Sequence, residues 1–239
     1  MAIEDKSKDG RTVQLKRVRL SFTESLKDKK KTSDSPDAKE KHGLNIINEA
    51  NGPHFKENHE KLMAAIRAAC EKEWKNPEAY KAIQEDAPKR VCYRKGERFK
   101  SKEGKVYAGY EGNMALTLSG PSAGQKRPKL LDRYKRGLRE QASGEQISAG
   151  RVFDLNDIPE IFYGGCYADV IVSVFGTEKG SQGIFASCEA IRSHQEGEAM
   201  GGGIYVDEDD FDDLDGDDSF ESGPSSKPKT SSGDLDLEF

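Results

Sequence analysis

The chain has 239 residues, 34% hydrophobic and 34% charged, with a formal charge of −5. Less a polar tail and an uneven N-terminal third, that length leaves room for one ordinary domain with a modest core and many charged loops. No apolar run approaches the roughly 20 residues that span a bilayer, and the N-terminus has no apolar signal core, so a soluble protein of the cytoplasm is expected.

Residues 1–10 are polar and expected to fray. A first strand follows at Arg11–Phe22, where Val18, Leu20 and Phe22 alternate with Arg17, Arg19 and Ser21 to give an apolar face and a basic one. The basic face suits phosphates, and equally an ordinary solvated strand surface. Residues 27–41 read as a flexible Lys-rich loop that adds non-specific attraction for a polyanion but has no alternation to build a site. Leu44–Ile47 is a short second strand.

Asn58 is an acceptable N-cap for a helix in which Leu62, Ile66, Ala69 and Cys70 recur at helical spacing as far as Trp74. Pro77 opens a second short helix that ends before Pro88. His54 and His59 lack the spacing of a metal site on one helical face, so no metal is expected there.

The segment Lys89–Tyr110 interleaves basic residues with rings. Arg94, Lys95, Arg98, Lys100, Lys102 and Lys105 alternate with Tyr93, Phe99, Tyr107 and Tyr110. Holding a single strand without reading its sequence needs this mixture, cations for phosphates and flat rings for exposed bases. Strand alternation sends neighbours to opposite faces, so about half of the four rings should turn into the core. Asn113–Ser119 is a third strand. A second cationic cluster follows, with Lys126, Arg127, Lys129, Arg133, Lys135 and Arg136 around Tyr134, and then a Gly/Ser/Gln-rich connector to Gly150.

The clearest strand is Cys166–Phe175. Cys166, Ala168, Val170, Val172 and Val174 form a uniform apolar face, and Tyr167, Asp169, Ile171, Ser173 and Phe175 a mixed one. A turn joins it to Gly183–Arg192, completing a hairpin.

The end of the chain is different in kind. Residues 207–239 carry thirteen acidic and two basic residues, a charge of −11, and close on Phe239. Residues 1–206 therefore carry +6, from 36 Lys and Arg against 30 Asp and Glu. Like-charge blocks stay solvated and commonly serve as interaction tails. Two readings stand: a solubilising tail, or a mimic of nucleic acid that occupies a cationic groove until a real strand displaces it.

Catalysis finds no support. There is no phosphate loop, no dinucleotide fingerprint and no carboxylate cluster of nuclease type. The tail around Gly216 lacks the first and last ligands of a calcium loop. Cys70, Cys92, Cys166 and Cys188 have neither C-x-x-C nor zinc spacing, and read as reduced, structural thiols. The protein is not expected to be an enzyme or to hold a cofactor.

From Arg17–Phe22 through Asn58–Trp74 to the block Ile158–Gly203, the chain resembles a family of bacteriophage single-stranded-DNA-binding proteins. The most specific part is Tyr163-x-Gly165-Cys166-Tyr167 opening the long strand, with Gly201-Gly202-Gly203 before the acidic residues. The tail is similar to that of podophage single-strand-binding proteins, acidic and closed by Phe. The resemblance implies a mainly β fold: an OB-type barrel of five antiparallel strands in a Greek key, with a helix inserted between strands. On this reading residues 11–203 are the DNA-binding domain and 204–239 a disordered acidic tail. The implied function is sequence-tolerant binding of single-stranded DNA during phage replication, recombination or repair. The tail would compete for the groove and recruit replication proteins such as a polymerase or helicase. The residues themselves add the expected DNA contacts: Arg17, Arg19, Tyr93, Arg94, Lys95, Arg98, Phe99, Lys100, Lys102, Lys105, Tyr107, Tyr110, Lys126, Arg127, Lys129, Arg133, Tyr134 and Tyr167; the resemblance implies Asp234, Asp236, Glu238 and Phe239 for a protein partner. Self-association into a homo-oligomer stays open. So do two other functions, an acidic DNA mimic that inhibits a DNA-binding enzyme and a strand-annealing recombination factor.

Overall fold

The computed structural model describes residues 9–31, 38–179 and 182–200. The acidic segment, with Asp234, Asp236, Glu238 and Phe239, lies outside the described residues, as does the Gly201–Gly203 run.

Five strands carry the architecture: β1 (Thr12–Ser21), β2 (Gly43–Asn48), β3 (Met114–Ser119), β4 (Tyr167–Thr177) and β5 (Gly183–Gln195). Antiparallel ladders join β3 to β2, β2 to β1, β1 to β4 and β4 to β5. One further pairing, Ser119 with Ser187, joins β3 to β5 and closes the ring. That contact is parallel, where a wholly antiparallel barrel was expected. The reason is parity: four reversals around a five-membered ring return the last strand to the direction of the first. The strand order and the closure are those of an OB-type barrel.

Inside the barrel lie the residues that alternation marks. Ala168, Val170, Val172 and Val174 of β4 are completely buried, and so are Leu15 and Leu20 of β1. The helix α1 (Phe55–Trp74) lies against β1 and β4 through Leu62, Ala65, Ile66, Ala69 and Cys70, and α2 (Ala79–Asp86) packs beside it. α1 begins one turn before the expected N-cap. Asn58 is instead a buried residue of its first turn, 1% exposed.

Three other expectations change. The Gly/Ser/Gln-rich connector contains a short helix, Gly144–Ser148, because Ser143 and Gln146 form a capping box. The described ends of the Lys-rich loop pair with each other, Lys30 with Lys41 and Lys31 with Glu40. Phe22, assigned by alternation to the apolar face of β1, leaves the strand with φ of 53° and is 40% exposed. Among the described residues, no helix is long and apolar enough to cross a membrane.

β2 and β3 bury their inner faces fully and their outer faces in part. Leu44, Ile46, Leu116 and Leu118 point into the main core. Ile47 and Ala115 point outward into a second, smaller cluster with Phe99 and Tyr110, bordered by Val106 and Met200. The polypeptide Gly96–Gly112 forms that outer layer. It can lie so close because Gly96 has no side chain: a Cβ there would stand 1.7 Å from the Tyr110 carbonyl oxygen.

Candidate nucleic-acid interface

The outer layer sorts the four rings of Lys89–Tyr110. Tyr93 (4% exposed), Phe99 (7%) and Tyr110 (0%) are core residues, so these three expected contacts offer no free face for a base. Tyr93 sits inside the barrel wall, its hydroxyl accepting from Asn48 Nδ2 at 3.3 Å. Tyr110 accepts from Asn45 Nδ2 at 3.1 Å. Burial pushes both phenols up, that of Tyr93 to about 12. Tyr107 alone of the four is exposed, at 37%.

Tyr107 does not stand by itself. Phe22 meets it edge to face, with ring centroids 4.9 Å apart, and leans on Tyr110 at 6.4 Å. The left-handed backbone at Phe22 swings this ring out of the barrel interior and onto the outer layer. A bulky residue at positive φ is strained, and such strain gathers at functional sites. Sequence alternation could not have found Phe22. Beneath the pair, Arg94 lies over Phe99 at 4.5 Å and reaches Thr117 Oγ1 at 3.3 Å. Burial lowers the pKa of its guanidinium, and its Nε has no hydrogen-bond partner among the described residues.

Gly109, two residues on from Tyr107, borders a cationic centre. Arg19 Nη1 is 3.6 Å from where a Cβ at Gly109 would lie, beside the Met200 methyl. Its Nε donates to Gly165 O at 3.1 Å and its Nη2 to Glu198 O at 2.8 Å, while Nη1 pairs with Glu49 at 3.5 Å. Tyr167 donates to the same Glu49 carboxylate at 3.0 and 3.3 Å. Arg17 spreads over the Tyr167 ring at 4.5 Å. Burial and the Glu49 charge push the Tyr167 hydroxyl up, so it stays a donor. Arg17, Arg19 and Tyr167 are thus brought together, with Glu49 as a fourth member.

The segment after β5 crosses here. Tyr163 Oη donates to Gly197 O at 2.8 Å and accepts from Gly197 N at 3.0 Å, and Met200 N donates to Gly164 O at 2.6 Å. Gly165 has φ of 114°, and a Cβ on it would fall 2.0 Å from Glu198 O. The Tyr163-x-Gly165-Cys166-Tyr167 motif is therefore the seat of residues 197–200.

A third cationic group follows. Tyr134 is 65% exposed at the tip of a turn, with Arg133 at 5.0 Å and Arg136 at 5.9 Å from its ring. Arg133 pairs with Glu196 at 3.2 Å, which links this tip to the end of β5. Lys95, Arg98, Lys100, Lys102 and Lys105 are exposed along the outer layer, and Lys126 and Lys129 near the Tyr134 turn's own segment. Arg127 is different. It is fixed by Leu26 O at 2.8 Å, Lys27 O at 2.7 Å and Glu140 at 3.1 Å, so its role in the fold is that of a clamp. Among the described residues no group of three or more His, Cys, Asp or Glu is placed to hold a metal.

A curated relative, protein p50 of Acyrthosiphon pisum secondary endosymbiont phage 1, is 29% identical over 157 residues, covering 65% of this chain and 71% of p50. The single-stranded DNA-binding protein from bacteriophage Enc34, solved in complex with ssDNA, superposes with a TM-score of 0.57 at 16% identity, over 80% of this chain and 90% of that one. A second structure of the single-stranded DNA-binding protein from bacteriophage Enc34 gives 0.56 at 16% identity, over 84% and 89%. At that identity the superpositions establish the shared fold. The family described as Enterobacter phage Enc34 ssDNA-binding protein matches residues 11–221, most of the sequence, and the chain belongs to that family.

Proposed function

We propose that this protein binds single-stranded DNA, with little sequence preference, along the face that runs from Phe22 and Tyr107 past Arg19, Tyr167 and Arg17 to Tyr134. The observation that carries the reading is a set of accessible rings with cations beside them: Phe22 and Tyr107 exposed together, Arg17 over the half-buried Tyr167, and Arg133 over the exposed Tyr134. Stacking on rings is sequence-tolerant because every base has a flat face, and cations track the phosphates between them. Arg94 and the exposed lysines of the outer layer add to the field of a body at +6. Residues 11–203 are the binding domain in this reading. The acidic segment competes for the same face and recruits replication proteins, through Asp234, Asp236, Glu238 and Phe239, in the cytoplasm of the infected cell. In support, residues 197–200, described up to Met200, lie against Arg19 and Gly164.

The test is a fluorescence titration of a labelled oligo-dT with the full chain and with residues 1–206, at two salt concentrations, against a duplex of equal length. Tighter and salt-weakened binding by the shorter chain is expected. Equal affinity of the two forms removes the competing tail, and absence of binding by both removes the proposed face.

A further inference from the structure

β1 does not pair evenly with β4. Leu15 stands opposite Val170 and Val18 opposite Ala168, so three steps on β1 match two on β4. The extra residue makes a bulge at Lys16–Arg17, and Arg17 takes φ of 45°. A bulge leaves backbone groups without ladder partners, and two buried side chains serve them here. Lys16 N donates to Asn58 Oδ1 at 2.9 Å, and Asn58 Nδ2 donates to Lys16 O at 2.8 Å and to Asn48 Oδ1 at 3.2 Å. Asn58 thus replaces a missing strand rung from the first turn of α1. Arg17 N donates to Asp169 Oδ1 at 3.0 Å, and the other oxygen of Asp169 accepts from Arg192. Asp169 is 8% exposed. The Lys16 side chain is drawn to Glu57, leaving Arg17 to turn the other way, across Tyr167 and toward Gln195.

We infer that Asn58 and Asp169 are positioning residues for single-stranded DNA, holding the bulge that lays the Arg17 guanidinium on Tyr167. This rests on the proposed binding face. Neither residue touches the strand; both act through Arg17. The sign of one effect separates this role from plain electrostatics. Removing the acidic Asp169 from a face that meets a polyanion should tighten binding if only charge matters, and should weaken it if Arg17 loses its place.

The experiment uses the full chain with Arg17→Ala, Asp169→Ala, Asn58→Ala, and each of the latter two combined with Arg17→Ala. Affinity for a labelled oligo-dT is read at two salt concentrations, beside a thermal melt. Arg17→Ala is expected to weaken binding about threefold to tenfold and to lower the salt slope by about 0.7, as one lost phosphate contact does on a single strand. Asp169→Ala and Asn58→Ala should each weaken binding by a similar factor and lower the slope likewise. Neither should weaken it further once Arg17 is gone, although both still lower the melting temperature. Tighter or unchanged binding by Asp169→Ala while Arg17→Ala weakens overturns the inference, as does a loss that multiplies with that of Arg17→Ala. Should Asn58→Ala not fold, the Asp169 arm decides. An Arg17→Ala variant that binds like the parent overturns the inference as well, and locates the failure in the proposed face itself.

Discussion

Phe22→Leu offers the sharpest separation of packing from binding. The ring is 40% exposed and its buried part rests on Tyr107 and Tyr110. Leucine keeps most of that buried apolar surface, and it meets the same strain at φ of 53°, so the backbone cost largely cancels. What is lost within the protein is the ring–ring contact, about 0.5–1.5 kcal/mol. At about 2–4 °C per kcal/mol for a chain of this size, the melt should fall by only about 1–6 °C. A base stacked on the ring contributes about 1–3 kcal/mol, which is about 5–150-fold in Kd. The ring carries no charge, so the slope of log Kd against log salt should not move, in contrast to Arg17→Ala. Titration of oligo-dT at three or more salt concentrations reads both quantities. A leucine variant that melts slightly lower yet binds as tightly as the parent would refute the claim that Phe22 is a platform for bases.

Gly165→Ala should cost about 1–3 kcal/mol, since it forces a side chain into positive φ and against Glu198 O; it should also free residues 197–200, seen as faster proteolysis near Met200. Arg127→Ala should lower stability by about 1–3 kcal/mol, because it leaves the Leu26 and Lys27 carbonyls without their donor, while the salt slope of DNA binding stays unchanged. Cys70, Cys92, Cys166 and Cys188 are all buried, so a thiol reagent should label none in the native protein and all four after unfolding. Burial pushes the thiols of Cys92 and Cys166 from the ordinary 9.0 up to about 12 and the Tyr93 phenol from 10.0 to about 12. Their folded values exceed the unfolded ones, so this stability is whole below about pH 9 and is lost as pH rises toward about 12. Urea midpoints that hold steady between about pH 8 and about pH 11 would contradict it.

The barrel was largely legible because its strands obey period two. Ala168–Val174 alternates without a break, and the apolar positions of Leu62–Cys70 repeat at helical spacing. Where reading failed, the backbone left those periods. Leu15 and Val18 are both buried although three residues apart, a change of parity that only a bulge allows, and the same bulge gives Asn58 its buried partner. As a cap, Asn58 looked ordinary; as a substitute strand rung it has no local signature. Phe22 was missed because positive φ reverses the face that alternation assigns. The basic/aromatic composition of Lys89–Tyr110 suggested a surface for a single strand. It could not say which rings were spent on the outer cluster, since that depends on Ile47 and Ala115, far away in sequence.

Because Ile47 and Ala115 place apolar side chains on the outer face of β2 and β3, the chain holds two cores separated by the thickness of one sheet. The outer one contains four buried residues, Ile47, Phe99, Tyr110 and Ala115, and it carries the Phe22–Tyr107 pair on its surface. A layer so small should open at a lower free energy than the barrel beneath it, giving amide exchange from Gly96–Gly112 ahead of β1, β4 and β5. Substitutions that retune the stacking rings would then act on the outer layer and add to, without amplifying, changes in the barrel. Changes to the proposed binding face would then leave the cylinder beneath it intact.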